Sequence, residues 1–483
     1  MKRYISYLFS LFLATLLLQG CGKDNGGGET PPPDPPPQPP VQDGVYAKKE
    51  LRGAWIASVF GIDWPVGKYD EVSQKKLYTD YLDGFVAANL NAVFMQIRPT
   101  ADAFYESEYE PWSRWITGVA GKDPGYDVLK FMIDEAHDRG LEFHAWINPF
   151  RITTDLSQPL DPRIPVEWKK DYPGMRVYNP AIPEVHQRIA DIVNELITKF
   201  DIDGIHLDDY FYPDIGNVNN LNDADDFAKY GAGYANITAF RRANVDKVVQ
   251  KIRETALKAN PRVVFSVSPT ANISYNLNSL FADVEKWCRE GWIDFVVPQV
   301  YQALGSGNSN FEALLSNWVG AFNTKVGCVV GLALYRVENP VETTRFTVAD
   351  FDRMFQLTSS NQKIHGSIMY NTSSFAANRG GVIDMLKAKY FKNPAVRPAF
   401  GRKTEADPVV PANVTISGSV LSWTTSAGLS SVVYFIPAGA TASQVVAITK
   451  SNSFTVTAKG TYFVTTFNRD NTESEKSKEV NYN

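Results

Sequence analysis

The chain has 483 residues, a formal net charge of −5, 44% hydrophobic and 13% aromatic residues, and three cysteines. That is ample apolar surface for a large core, and the acidic balance without a basic block argues against a nucleic-acid partner. Cysteine is too scarce for a disulfide scaffold, and no CxxC or HExxH spacing offers metal ligands, so neither a metal nor a cofactor is expected.

Lys2 and Arg3 precede an apolar run from Tyr7 to Leu18. A basic start and a short apolar stretch describe a secretory signal peptide over residues 1–20, too short to span a bilayer comfortably. Leu18-Gln19-Gly20-Cys21 resembles the lipobox of bacterial lipoproteins. That resemblance implies lipidation of Cys21 and a cell-envelope location, anchored in the outer membrane on its periplasmic or surface side; ordinary secretion is the alternative. Residues 21–45 contain Gly26-Gly27-Gly28 and the tract Pro31 to Pro40, broken only by Asp34 and Gln38. With nothing to bury, this stretch is expected to be a tether with an extended, semi-rigid proline half.

From 46 to 403 apolar runs alternate with helical patterns. The predicted strands are Arg52 to Ser58, Ala92 to Arg98, Glu142 to Asn148, Gly204 to Asp208, Val263 to Ser268, Asp294 to Tyr301, Gly327 to Leu334 and Ile364 to Tyr370. One helix carries Val185, Ile189, Ile192, Val193, Leu196 and Ile197 on one face, with Pro183 near its start; another carries Val245, Val248, Val249, Ile252 and Leu257. Eight strands separated by helices predict an α/β chain folded as a (β/α)8 TIM-type barrel. A doubly wound open sheet is the alternative, but no glycine-rich phosphate turn follows the first strand. Cys288 and Cys328 lie in unrelated segments and read as two buried free thiols, with a disulfide between them as the alternative.

Strand alternation then sorts the polar residues. Val93, Met95 and Ile97 suit the helix-facing side, which turns Gln96 and Arg98 inward; His144, Trp146 and Asn148, His206 and Asp208, and Gln299 and Tyr301 point inward by the same rule. Polar groups therefore gather at the C-terminal strand ends, where barrel active sites are built. The segment Asp203-Gly204-Ile205-His206-Leu207-Asp208-Asp209-Tyr210-Phe211-Tyr212-Pro213 is the most informative. Asp208 and Asp209 supply the paired carboxyls that glycoside cleavage needs: one protonated to release the sugar oxygen, one to steady the positive ring. Asp209 is assigned as proton donor and Asp208 as the orienting or stabilising group, with the reverse assignment open. Loop aromatics (Trp64, Trp112, Trp115, Tyr178, Tyr210, Phe211 and Tyr212) suit stacking on sugar faces.

The chain also resembles a known family. Arg52-Gly53-Ala54-Trp55-Ile56, Gln96-Ile97-Arg98-Pro99, Ala145-Trp146-Ile147-Asn148-Pro149-Phe150-Arg151, Tyr178-Asn179-Pro180, Arg241-Arg242-Ala243-Asn244-Val245-Asp246, Pro298-Gln299-Val300-Tyr301 and Gly331-Leu332-Ala333-Leu334-Tyr335 are similar, in order, to the bacterial glycosyl hydrolase-like 10 family. The resemblance implies a glycosidase-type barrel on an envelope lipoprotein, acting on peptide-free peptidoglycan strands or a related N-acetylated glycan. Gln96, Arg98, His144, Asn148, Arg151, His206, Tyr210, Gln299 and Tyr301 are the expected substrate-binding residues. The fourth-strand motif is also similar to the chitinase-type signature, but His206 stands where an aspartate is expected and Tyr210 where the acidic glutamate is expected. Another departure is Ser268-Pro269-Thr270-Ala271-Asn272, where many relatives carry a bulkier Phe-Gly-x-Trp stretch.

Over 404–483 helical periodicity disappears. Short β-prone runs at Val414 to Ile416, Val420 to Trp423, Ser431 to Phe435, Ser453 to Thr457 and Thr461 to Phe467 predict a small antiparallel sandwich, resembling a fibronectin type III module. Two function classes follow: a monomeric glycoside hydrolase of envelope polysaccharide, or a catalytically silent barrel that binds glycan.

Overall fold

The computed structural model describes residues 47–208, 211–321 and 326–483. Cys21, the anchor and tether, Asp209 and Tyr210 lie outside these residues.

Eight strand positions form the barrel: β1 (Leu51–Ile56), β2 (Ala92–Arg98), β3 (Glu142–Ile147), β4 (Gly204–Leu207), β5 (Val264–Val267), β6 (Phe295–Val296 and Gln299–Val300), β7 (Gly327–Cys328 and Val330–Ala333) and β8 (Gly366–Tyr370). All neighbours are parallel, and β8 pairs with β1. The first piece of β6 pairs with the first piece of β7, and the second with the second, so the ring closes through two divided strands. Pro298 explains the division of β6, because a proline offers no ladder donor.

A helix follows every strand. The third, Pro183–Lys199, has proline at its first turn and buries Val185, Ile189, Ile192, Val193, Leu196 and Ile197, as its periodicity predicts. In the fourth, Ile237–Ala259, the buried face ends on Ala256, whereas Leu257 is exposed. The outer core between strands and helices takes Val93, Met95, Ile97, Phe143, Ala145, Ile205 and Leu207. A separate inner core takes Trp55, Phe94, Trp146, Val264, Phe295 and Val297. Parity along the strands is therefore as expected. Cys288 and Cys328 are buried and unpaired.

The C-terminal strands form two antiparallel sheets, one of three strands (Ala412–Ser417, Val420–Thr424, Ser453–Thr455) and one of four (Gln444–Thr449, Ser430–Pro437, Gly460–Phe467, Val480–Tyr482). Two of these, Gln444–Thr449 and Val480–Tyr482, are absent from the predicted set. Val433, Tyr462 and Val464 face the smaller sheet beside Leu421 and Trp423, while Val432, Tyr434 and Phe463 pack with Val396 of the connecting segment. The large sheet is thus buried on both faces, and barrel and sandwich belong to one compact unit.

That segment also closes the barrel's N-terminal end. Phe400 stacks on Phe295 at 4.4 Å, in a space kept open because position 327 is glycine: a Cβ there would lie 2.4 Å from the Phe400 ring. Beside it Glu142 receives Arg402 Nη2 at 3.0 Å, Asn471 Nδ2 at 2.8 Å and His144 Nε2 at 3.2 Å, with Arg397 Nε at 3.4 Å. Burial alone would raise the Glu142 carboxyl, but Arg402 and Arg397 outweigh it and hold it well below the ordinary carboxylate range.

Candidate active site at the C-terminal mouth

The barrel interior is layered. In the base layer His144 is fully buried, stacked on Phe94 at 4.3 Å and bonded to Glu142. Gly204 makes room for it, since a Cβ there would sit 2.2 Å from His144 Nδ1. His144 is therefore a floor residue at the far end from the mouth, and its expected role as a sugar ligand is corrected.

The middle layer is built on His206. Its Nε2 accepts from Trp55 Nε1 at 3.1 Å, which leaves Nδ1 to carry the proton toward Ser266 Oγ at 2.8 Å; Ser268 Oγ lies 3.1 Å from Nε2. Burial, followed by the neighbouring His144, pushes this imidazole well below its ordinary value, so it is neutral. His206 too is fully buried, and its part is to hold Trp55 and the β5 serines rather than to touch a ligand. Trp55 spans the barrel and reaches the Tyr370 ring at 6.2 Å; it fits because position 331 is glycine, where a Cβ would lie 2.8 Å from the indole.

Above this lies the mouth. Ser58 N and Val59 N both donate to Gln96 Oε1 at 3.0 Å, and Gln96 Nε2 donates to Asn148 Oδ1 at 2.7 Å. Asn148 Nδ2 then donates to Asp208 Oδ2, which also receives Trp146 Nε1 at 3.3 Å. The chain fixes each amide's orientation, because each carbonyl faces donors and each NH2 faces an acceptor. The outcome is a carboxylate at the end of β4 whose Oδ2 is met by two neutral donors. Gln299, half-buried at the end of β6, donates from Nε2 to Ser268 O at 2.9 Å. Tyr301 stacks on Tyr370 with ring centres 6.1 Å apart and meets Tyr335 edge-on at 6.0 Å, giving strands β6, β7 and β8 a shared aromatic wall. Arg336 braces it, donating from Nη1 to Tyr301 O at 2.7 Å and from Nε to Tyr335 Oη at 3.0 Å.

Gln96, Asn148 and Asp208 thus come together, and Gln299 and Tyr301 both lie at the end of β6 on the same mouth. Arg98 does not join them as a ligand. It is buried and forks onto Glu110, Nε to Oε2 at 2.8 Å and Nη2 to Oε1 at 2.5 Å, while Nη1 donates to the backbone carbonyl of Asn148. Its work is to fix the strand end that presents Asn148. Arg151 is half-buried at the start of an antiparallel insert and donates to Pro99 O at 3.4 Å. Of the described loop aromatics, Trp64, Tyr178, Phe211 and Tyr212 are core packing, and Trp112 and Trp115 are partly exposed. Trp55, Trp146, Ser268, Tyr335 and Tyr370 belong to the site and were absent from the expected ligand set. For Trp146 the signal was available, because alternation turns it inward beside Asn148. Among the described residues no group of three His, Cys, Asp or Glu side chains is placed to hold a metal ion.

The model of the glycosyl hydrolase-like 10 family matches residues 50–347, the whole mouth up to β7. The chain belongs to this family. It is similar to the glycosyl hydrolase YngK of Bacillus subtilis (37% identity over 383 residues, 74% of this chain and 75% of the relative). It is also similar to the glycosyl hydrolase DigH of Escherichia coli K12 (29% over 366 residues, 67% of this chain and 83% of the relative). Among solved structures, the glycoside hydrolase domain of PgaB from Bordetella bronchiseptica aligns with a TM-score of 0.47 at 13% identity, covering 71% of this chain and 98% of that one. Membership in this glycosyl hydrolase-like 10 family implies a carbohydrate as the class of substrate.

Proposed function

We propose that this glycosyl hydrolase-like 10 protein hydrolyses glycosidic bonds in an N-acetylated envelope glycan, with peptide-free peptidoglycan strands as the substrate. The observation that carries the reading is the relay from the Ser58 and Val59 amides through Gln96 and Asn148 to Asp208, a pre-set carboxylate at the C-terminal strand ends. In this reading Asp208 stabilises the positive charge that grows on the sugar ring, or orients an acetamido group beside it. Asp209, the next residue in sequence, protonates the leaving oxygen. The amide of Asn148 keeps Asp208 fixed in place, so no reorganisation is needed as charge develops. Gln299 and the tyrosine wall receive the sugar's hydroxyls and faces.

Cys21 is proposed as the lipid-bearing residue, with 22–45 as the tether; Cys21→Ala is expected to move the protein from the membrane fraction to the soluble fraction. The test of function is product analysis after incubation with peptide-free peptidoglycan strands and, separately, with chitin oligomers. Shortened glycan products from the wild type, lost in Asp208→Asn and Asp209→Asn, support the reading. Binding of strands without any cleavage would instead make the barrel a silent glycan receptor.

A further inference from the structure

The loops after β1 and β2 carry an apolar rim that the mouth described above does not use. Phe60 is 54% exposed, and its ring meets Trp115 edge-on at 5.5 Å. Val66, Tyr69 and Val119 are also at least half exposed, and Tyr69 covers Gly118, where a Cβ would lie 3.3 Å from its ring. An exposed cluster of this kind marks a contact surface. Phe60 is held there against its own backbone preference: its φ is +57, a left-handed conformation disfavoured for any residue with a Cβ.

Two observations identify what the rim meets. It is continuous with the mouth, because Phe60 directly follows the Ser58 and Val59 amides that hold Gln96. It is amphipathic: the Arg114 guanidinium lies 4.5 Å from the Trp115 ring centre and pairs with Asp155 at 3.2 Å, so polar groups flank the rings. Aromatic faces beside hydrogen-bonding groups suit pyranose rings, which are apolar on their faces and polar at their edges. We infer that Phe60 and Trp115 form a distal subsite that stacks a sugar ring of a long glycan several units from the scissile bond, making chain length a specificity determinant. This rests on the proposed glycan reading and names a subsite within it.

The experiment compares wild type, Phe60→Ala and Phe60→Tyr on a long peptide-free peptidoglycan strand and on a short chitin oligomer. For the long strand, KM is expected to rise roughly tenfold in Phe60→Ala, the usual scale for loss of an aromatic contact. Phe60→Tyr should restore it, and kcat and KM for the short oligomer should stay at wild-type values. An unchanged KM for long strands, or an equal loss on both lengths, overturns the subsite while leaving the hydrolase reading intact. If the wild type neither binds nor cleaves either glycan, the hydrolase reading falls first and the subsite with it. A third arm measures sedimentation of the Cys21→Ala form, with and without Phe60→Ala, on phosphatidylethanolamine–phosphatidylglycerol vesicles. Vesicle binding that depends on Phe60, with glycan kinetics unchanged, would make the rim a membrane contact and overturn the proposal.

Discussion

A buried carboxylate lies on or at the end of a barrel strand at each end of this barrel, Glu142 at the base and Asp208 at the mouth, and the two are treated in opposite ways. At the base, Glu142 is met by Arg402, Arg397, Asn471 and His144, three of them supplied from beyond residue 390, and Phe400 fills the space beside it. At the mouth, Asp208 is met by the neutral donors of Asn148 and Trp146. Two cations neutralise the first charge and join two parts of the chain. The neutral donors of Asn148 and Trp146 hold Oδ2 of the second in space. The difference separates a carboxylate that joins two parts of the chain from one that, in the proposed reading, acts on the substrate, although both are buried on or at the end of barrel strands.

The largest effect is expected at the base. Glu142→Ala leaves the buried guanidinium of Arg402 without its partner, and breaking such a pair costs about 3–5 kcal/mol. Chemical denaturation should show this loss, with KM for glycan unchanged in the folded fraction. The pH dependence has a definite sign. The Glu142 carboxyl is held well below 4.5, so its stabilisation is complete above that value and is lost as pH falls through the lower folded value. Acid titration of stability should therefore be steeper below pH 4.5 in the wild type than in Glu142→Gln.

Asp208→Asn is the converse experiment. Turnover should fall at least roughly a hundredfold while the denaturation midpoint stays close to wild type. Should this variant unfold instead, both carboxylates are structural and the contrast between the two ends fails. Smaller effects are expected from the residues that present Asp208. Asn148→Ala removes a donor from Asp208 and an acceptor from Gln96, and Gln299→Ala removes the donor to Ser268 O. Each should weaken glycan binding by about 1–3 kcal/mol, read by calorimetry on intact protein.

Much of this was legible in the sequence because strand parity is a local property. The alternation of Val93, Met95 and Ile97 with Phe94 and Gln96 is written in seven consecutive residues, and the structure keeps it. Depth is not written there. His144 and Asn148 share parity, yet four residues of rise carry the first to the floor and the second to the mouth. Parity also says nothing about partners. Arg98 reads as a cleft residue until Glu110 is found beside it, and Glu142 reads as an unremarkable strand start until Arg402 and Asn471 arrive from far along the chain. The two unpredicted sandwich strands fail for a related reason. Gln444–Thr449 carries a bulge where it pairs with Ser430–Pro437, and Val480–Tyr482 is only three residues long, so neither carries a clean period-two signal.

The divided β6 and β7 have a mechanical consequence. Six residue pairs join β2 to β3, whereas β6 and β7 are joined by two separate stretches of two pairs. β5 and β6 share two pairs and a bridge from Thr270 to Gln299, so β6 is the joint of the ring, with short ladders on both sides. That joint lies directly beneath Tyr301 and Tyr335, while the continuous β2–β3–β4 arc carries Gln96, Asn148 and Asp208. The mouth therefore has one arc of continuous ladder that carries the carboxylate and a second arc, built on short ladders, that carries the tyrosines and relies on Arg336 to brace them.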